Sequence, residues 1–156
     1  MGIVLARVDD RLIHGQVMTS WLNYTGANKI VVIDDTTAND PFMSMVIKTL
    51  VPANIKTEVC TVENSVSVIN GLNEEEKVII LAKNPSPFVH LVNNNIKLSK
   101  INVGGMGSNP DRSKLYRNIF ASEKERSEFK ELMEKGLTVE IQMVAEDPKT
   151  DVNKYI

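Results

Sequence analysis

Arg7-Val8-Asp9-Asp10-Arg11-Leu12-Ile13-His14-Gly15-Gln16-Val17 is the stretch on which the reading of this chain turns. Upstream of it, Ile3, Val4, Leu5 and Val8 within Gly2 to Val8 read as a buried strand. Downstream, from about Gly15 to Tyr24, Val17, Met18, Trp21 and Leu22 recur at the three- and four-residue spacing of a helix laid on a sheet. His14 therefore falls in a strand-to-helix turn. In an open α/β sheet such turns lie at the carboxyl ends of the strands, the edge where ligands bind. The polarity of the cluster predicts that it stands outside the core.

The residue types in the turn point to phosphoryl chemistry. An ordinary imidazole, with a pKa of about 6.5, is largely uncharged near neutral pH and offers a nitrogen lone pair. A phosphoryl group received there needs positive charge and N–H donors around its oxygens. Arg11 supplies a planar fork of donors suited to phosphate. The amides of His14, Gly15 and Gln16 open a helix whose positive end attracts anions, and Gly15 lets the backbone come close. A carboxylate beside a phosphoryl group is repelled by it, so one aspartate, Asp9 in preference to Asp10, is expected to accept a hydrogen bond from the second ring nitrogen. The other is expected to cap the turn or the helix.

The eleven residues RVDDRLIHGQV closely resemble the active-site segment of the IIB subunits of the mannose, fructose and sorbose family of the bacterial sugar phosphotransferase system. The similarity extends through KIVVIDD after the second strand and NVGGM at a later one. The resemblance implies a transferase, a protein-N(pi)-phosphohistidine–sugar phosphotransferase. In it His14 takes a phosphoryl group from the histidine of a IIA protein and passes it to a hexose or amino sugar carried by membrane IIC and IID subunits. It further implies that Arg11 and the motif amides of Gly15 and Gln16 hold the phosphate, with Asp9 near the ring. Residues 1–156 then form a single IIB domain, cytoplasmic and peripherally associated with the membrane subunits. A homo-oligomer is left open, as are the sugar and the donor.

Composition agrees with that class and excludes others. A chain of 156 residues can bury a sizeable core as one domain. The single Cys60, in an apolar strand context, forms no internal disulfide and reads as a small core residue. No apolar run approaches the roughly twenty residues that span a bilayer, and no signal-like segment opens the chain. A net charge of -2 with dispersed lysines, one Trp and three Tyr gives no footprint for nucleic acid. The site residues call for no cofactor and no metal. His90 lies in a helical pattern without a ligand partner at useful spacing.

Along the rest of the chain, Lys29 to Ile33 reads as a second buried strand, ending in Asp34-Asp35 at the edge that carries His14. Asn39-Asp40-Pro41 starts a helix with Phe42, Met43, Val46, Ile47 and Leu50 on its apolar face, where the methionine is expected to pack in the core. Thr57 to Val62 and Lys77 to Ala82 are strands, with a helix from Asn64 to Leu72 between them. Lys83-Asn84-Pro85 opens a further helix, and Lys83, ending a strand at the site edge, joins Asp34 as a candidate outer contact of the site. Leu98 to Val103 is a fifth strand closed by Gly104-Gly105-Met106-Gly107. This is not a dinucleotide fingerprint; it reads as a wall of the phosphate site that includes Gly105, or as a tight turn. Tyr116 to Phe120 is a short strand, and Ser122 to Glu125 a capping box for a helix that stops at Gly136. Leu137, Val139, Ile141 and Met143 alternate with polar residues as in an edge strand with one wet face. Val152 and Tyr155 suit a last helical turn.

Alternating strands and helices at this spacing predict an α/β fold: a single-domain, mostly parallel, doubly wound sheet of about seven strands flanked by helices, with one antiparallel strand near the C-terminal edge. Two other functions fit such a sheet. A receiver-like regulatory module also carries paired acids after its first strand, but it needs an acceptor aspartate after the third, where this chain reads Cys60-Thr61-Val62-Glu63. A small-metabolite-binding module would show a glycine-rich phosphate fingerprint.

Overall fold

In the computed structural model, which describes residues 2–156, the opening apolar run is strand β1 (Gly2–Asp9) and the periodic segment after it is helix α1 (Gly15–Thr25). Gly26, in the left-handed region that glycine enters without strain, stops α1. β2 (Lys29–Ile33) leads into a one-turn helix, α2 (Asp35–Ala38), capped by Asp34. Asp40 then caps α3 (Pro41–Thr49) by accepting from the amides of Phe42 and Met43. β3 (Lys56–Cys60), α4 (Val62–Asn70), β4 (Lys77–Ala82), α5 (Ser86–Asn93) and β5 (Lys100–Gly105) follow. A hairpin of β6 (Ser113–Tyr116) and β7 (Ile119–Ala121) precedes α6 (Glu123–Glu134), whose Ser122–Glu125 capping box forms as expected. β8 (Thr138–Ile141), β9 (Thr150–Asp151) and a 3-10 turn at Val152–Lys154 end the chain.

The main sheet has seven strands in the order β3-β2-β4-β1-β5-β8-β9, all pairs parallel except β8 with β9. This is the single-domain α/β architecture expected, and the two-residue β9 is the antiparallel strand near the C-terminal edge. Met18, Trp21 and Leu22 of α1 and Ile47 of α3 pack with Ile30, Val32, Ile79 and Leu81 on one face. Ile69, Phe88, Leu91, Phe129 and Leu132 of α4, α5 and α6 pack with the opposite face. The neighbours β1 and β5 thus lead to helices on opposite faces, and the crevice between their carboxyl ends is where such sheets hold ligands.

Several boundaries move, for local reasons. Thr61 accepts from the amide of Asn64, so α4 starts at Val62 and β3 ends at Cys60. The expected Tyr116–Phe120 strand is instead a hairpin, because Arg117 adopts a φ of 47° and turns the chain. The larger correction concerns α3. Only Ile47 of its apolar residues is buried; Phe42, Met43, Met45 and Leu50 are exposed, at 66%, 41%, 58% and 51%. β3 is the edge of the sheet, so no strand lies beyond it for these side chains to cover.

Candidate functional site

At its carboxyl end β1 carries charge into the core. Arg7 and Asp9 are 1% and 0% exposed and ion-paired, Nη2 to Oδ2, at 3.1 Å. Arg7 Nη1 donates to Asn102 Oδ1 and, at 3.0 Å, to the carbonyl of Gln142, while the guanidinium lies 5.5 Å from the centre of the Trp21 ring. Gly104 makes room for it: a Cβ there would sit 1.8 Å from Arg7 Nη2. Gly105 does the same for the next pair, since its Cβ would lie 2.6 Å from Asp9 Oδ1 and 2.9 Å from Arg11 Nη2. The glycines of β5 are therefore a packed wall set by close approach; their φ angles are ordinary.

Asp9 organises the turn. Besides Arg7 it accepts from Arg11 N, Nε and Nη2 at 3.1, 2.9 and 3.0 Å. His14 Nε2 lies 3.3 Å from its Oδ2. The turn is closed by the Leu12 amide donating to the Asp9 carbonyl at 2.9 Å, with Leu12 at a φ of 59°. That conformation costs a non-glycine residue about 1–3 kcal/mol. Leu12 and Ile13, each 3% exposed, pack against Met18 and Trp21. Burial contributes about 1.5–3 kcal/mol per side chain, which offsets the strain. The expectation that this stretch stands outside the core is thus corrected: the turn is nailed down by two apolar side chains, and its first two charges are interior because each finds partners.

Asp10 makes a second tie. Its amide donates to the Gly105 carbonyl at 3.0 Å, and its carboxylate accepts from the Gly107 amide at 2.7 Å and from Arg112 Nη1 at 3.1 Å. Arg112 in turn forms a two-pronged pair with Glu125, the residue that closes the capping box of α6. Asp10 therefore caps neither the turn nor α1; it bolts the loop to the segment after β5.

Electrostatics follow from these contacts. Burial alone would raise the Asp9 carboxyl, but the hydrogen bonds from Arg11 and the charges of Arg7 and Arg11 outweigh it and hold Asp9 below the ordinary carboxylate range. Burial pulls Arg7 down to about 10 despite Asp9, so it stays protonated at neutral pH. Arg11 is raised, chiefly by its hydrogen bond to Asp9, and its side chain is 44% exposed. His14 sits at the N-cap position of α1 with its side chain 30% exposed. No side chain caps that helix and no acidic residue stands in its first turn, so the amides of exposed Gly15 and Gln16 and the positive helix end face outward. An accessible imidazole, a half-exposed guanidinium and an uncapped helix start stand together in one turn, an arrangement chemically able to receive an anion.

Asp34 and Lys83 follow β2 and β4 at the same carboxyl edge of the sheet, but their contacts are with other groups. They pair with each other, Nζ to Oδ2, at 3.2 Å, and Asp34 also accepts from the amide and hydroxyl of Thr37. Among the described residues, no hydrogen bond or ion pair joins either to the His14 loop. Cys60 is buried, its thiol pushed up to about 11 by burial and by Glu58 and Asp35. The residues that sequence reasoning left without a role are Arg7, Asn102, Gln142 and Arg112. A charged residue in the middle of an apolar strand was the available signal for Arg7.

Comparison with known proteins agrees with this geometry. The family described as the sorbose subfamily IIB component of the PTS system matches residues 3–156. The sorbose-specific EIIB component of Lacticaseibacillus casei is 33% identical over 153 residues, covering 97% of this chain and 93% of the relative. The mannose-specific EIIAB component of Escherichia coli K12 is 34% identical over 150 residues; the match covers 96% of this chain but only 46% of that relative, so the chain spans about half its length. In three dimensions, the crystal structure of the IIBSor domain of the sorbose permease from Klebsiella pneumoniae superposes with a TM-score of 0.93 at 30% identity, covering 99% of this chain and 96% of that one. Shared fold, near full-length sequence similarity and the family match together place this chain in the sorbose subfamily of IIB components of the phosphotransferase system.

Proposed function

We propose that the chain is a phosphohistidine carrier in sugar uptake, with His14 as the group that is phosphorylated. The observation that carries this is the contact of His14 Nε2 with Asp9. An ionised carboxylate only accepts hydrogen bonds, so the ring nitrogen facing it holds the proton, and Nδ1 is left with the lone pair. Nδ1 attacks the phosphorus of a donor phosphohistidine; the new N–P bond forms as the donor's N–P bond breaks. The imidazole becomes cationic, and Asp9, held ionised by Arg7 and Arg11, stabilises that charge. Arg11 and the amides of Gly15 and Gln16 hold the phosphoryl oxygens. In the second transfer a sugar hydroxyl attacks the phosphorus as the bond to Nδ1 breaks; the ring leaves as neutral imidazole with Nε2 still protonated, and the hydroxyl proton is released to solvent.

The donor in this reading is a phosphorylated IIA protein and the acceptor a hexose or amino sugar presented by membrane IIC and IID subunits. The mannose-specific relative is named EIIAB, a polypeptide that joins an A to a B component, which supports a donor of that kind. Among the described residues no helix is long and apolar enough to cross a membrane, and the chain would meet the membrane through those subunits. The test is donor-dependent labelling of the chain and of His14→Ala. One acid-labile, alkali-stable phosphoryl group per chain, absent from the folded variant, is the expected result. Label retained by the variant, or an alkali-labile acyl phosphate, would reject the carrier reading.

A further inference from the structure

β1 pairs with β4 along its length, but with β5 only at Arg7, Val8 and Asp9. Extending the Arg7–Asn102 register backwards would set Leu5 beside Lys100 and Ile3 beside Leu98. Those pairs do not form, and β1 is bulged between Ile3 and Leu5. The sheet is left open there around a cavity of about 240 Å³, with the free edge of β1 on one side and residues 97–100 on the other.

The floor of this cavity is built of Ala6, Trp21, Asn102 and Gln142, at 4%, 4%, 2% and 6% exposure. Asn102 gives its Oδ1 to Arg7, and its Nδ2 donates to nothing among the described residues. Gln142 donates through Nε2 to the carbonyls of Ala145 and Asp147, and its Oε1 accepts from nothing among them. A donor and an acceptor without protein partners, carried by two largely buried side chains that line one cavity, are polar groups of the kind ligand sites present. The rim carries Lys97, Lys100 and Lys149, and no Asp or Glu lines the cavity. Lys100 is paired with Glu140 at 3.3 Å; Lys97 and Lys149 have no acidic partner among the described residues. Tyr24, 61% exposed and stacked on Trp21 at 6.0 Å, adds an aromatic face.

We infer that this cavity binds a small organic anion, its charge met by the lysine rim and its polar groups by the amides of Asn102 and Gln142. The volume lies below the roughly 300–1,000 Å³ of sites for drug-sized ligands, which selects a compact metabolite. The inference stands independently of His14, yet the two places are joined. The oxygens of Asn102 and Gln142 hold Arg7, and Arg7 holds Asp9.

The experiment is an NMR titration of the isotope-labelled full chain with pyruvate, citrate and inorganic phosphate, followed at backbone amides and at the Asn102 and Gln142 side-chain amides. Saturable shifts with an organic acid at Leu5, Ser99 and the Asn102 amide are expected. The double variant Lys97→Gln, Lys149→Gln should weaken that binding about fivefold, the effect of two exposed charge contacts. No saturable shift at these positions with either organic acid would overturn the inference. So would shifts confined to residues 14–17, unchanged affinity in the double variant, or equal affinity for inorganic phosphate, which lacks an organic body.

Discussion

The two ends of β1 differ as much as any two regions of this molecule. At Arg7 and Val8 the strand is paired on both sides and Asp9 is paired with β5, two glycines of β5 are pressed against its side chains, and its charges are buried. At Ile3–Leu5 it is paired on one side only, bulged, and bordered by a cavity with a lysine rim. Burying a charge costs several kcal/mol unless its partners are fixed, and a double-sided strand fixes them. The closed end can therefore hold an ionised carboxylate against an imidazole, while the open end, with no charge to hold, tolerates a gap.

The sharpest way to break this contrast is to remove the central carboxylate. Asp9→Ala leaves Arg7 buried without its counter-charge and should cost about 3–5 kcal/mol in urea unfolding. A loss under about 1 kcal/mol would mean that the buried charges of the closed end matter as little as the uncharged open end does. The glycines give a matched pair next. Gly104→Ala forces a methyl into the Arg7 guanidinium and should cost about 1–3 kcal/mol while slowing phosphoryl transfer, whereas Gly2→Ala at the open end meets nothing within 4 Å and should change stability by under about 0.5 kcal/mol.

Acid should act on one end only. Because the folded Asp9 carboxyl lies below its ordinary value, its contribution is fully present above about pH 4 and is lost as pH falls through the depressed folded value. The stability gap between the chain and Asp9→Ala should accordingly hold constant from neutral pH down to about 4 and narrow below it. A gap that widens on acidification would have the wrong sign for a carboxylate kept ionised by arginines. Only a small change in stability is expected for Arg11→Lys, under about 1 kcal/mol, because the side chain is half-exposed. Transfer should slow markedly, since an ammonium cannot grip Asp9 and phosphate with one planar fork. Equal transfer rates would assign the phosphate to the backbone amides alone.

How much of this was legible in the sequence differs in the same way between local and distant features. The His14 turn could be read because strand, turn and helix adjoin and its reactive residues lie within a few positions of each other. Chemistry asked for one carboxylate beside the ring, and Asp9 was favoured over Asp10 without the sequence settling the choice; in the structure His14 Nε2 lies beside Asp9. The partners that hold buried Arg7 were not legible, because they lie 95 and 135 positions away. Nor was the tie from Asp10 to Arg112, 102 positions apart. The glycines after the fifth strand were seen, but their reason, close approach of two guanidinium groups, needs the β1–β5 register. The exposed face of α3 misled for a related reason: periodicity shows which side of a helix is apolar, while the end of the sheet decides whether anything lies beneath it.

The most direct measurement is the imidazole nitrogen spectrum of the phosphorylated chain, recorded by long-range proton–nitrogen correlation. Phosphate on Nδ1 of His14, with Nε2 protonated toward Asp9, is the expected result. Phosphate on Nε2, or on another residue while His14 stays free, would contradict the role given to the buried carboxylate.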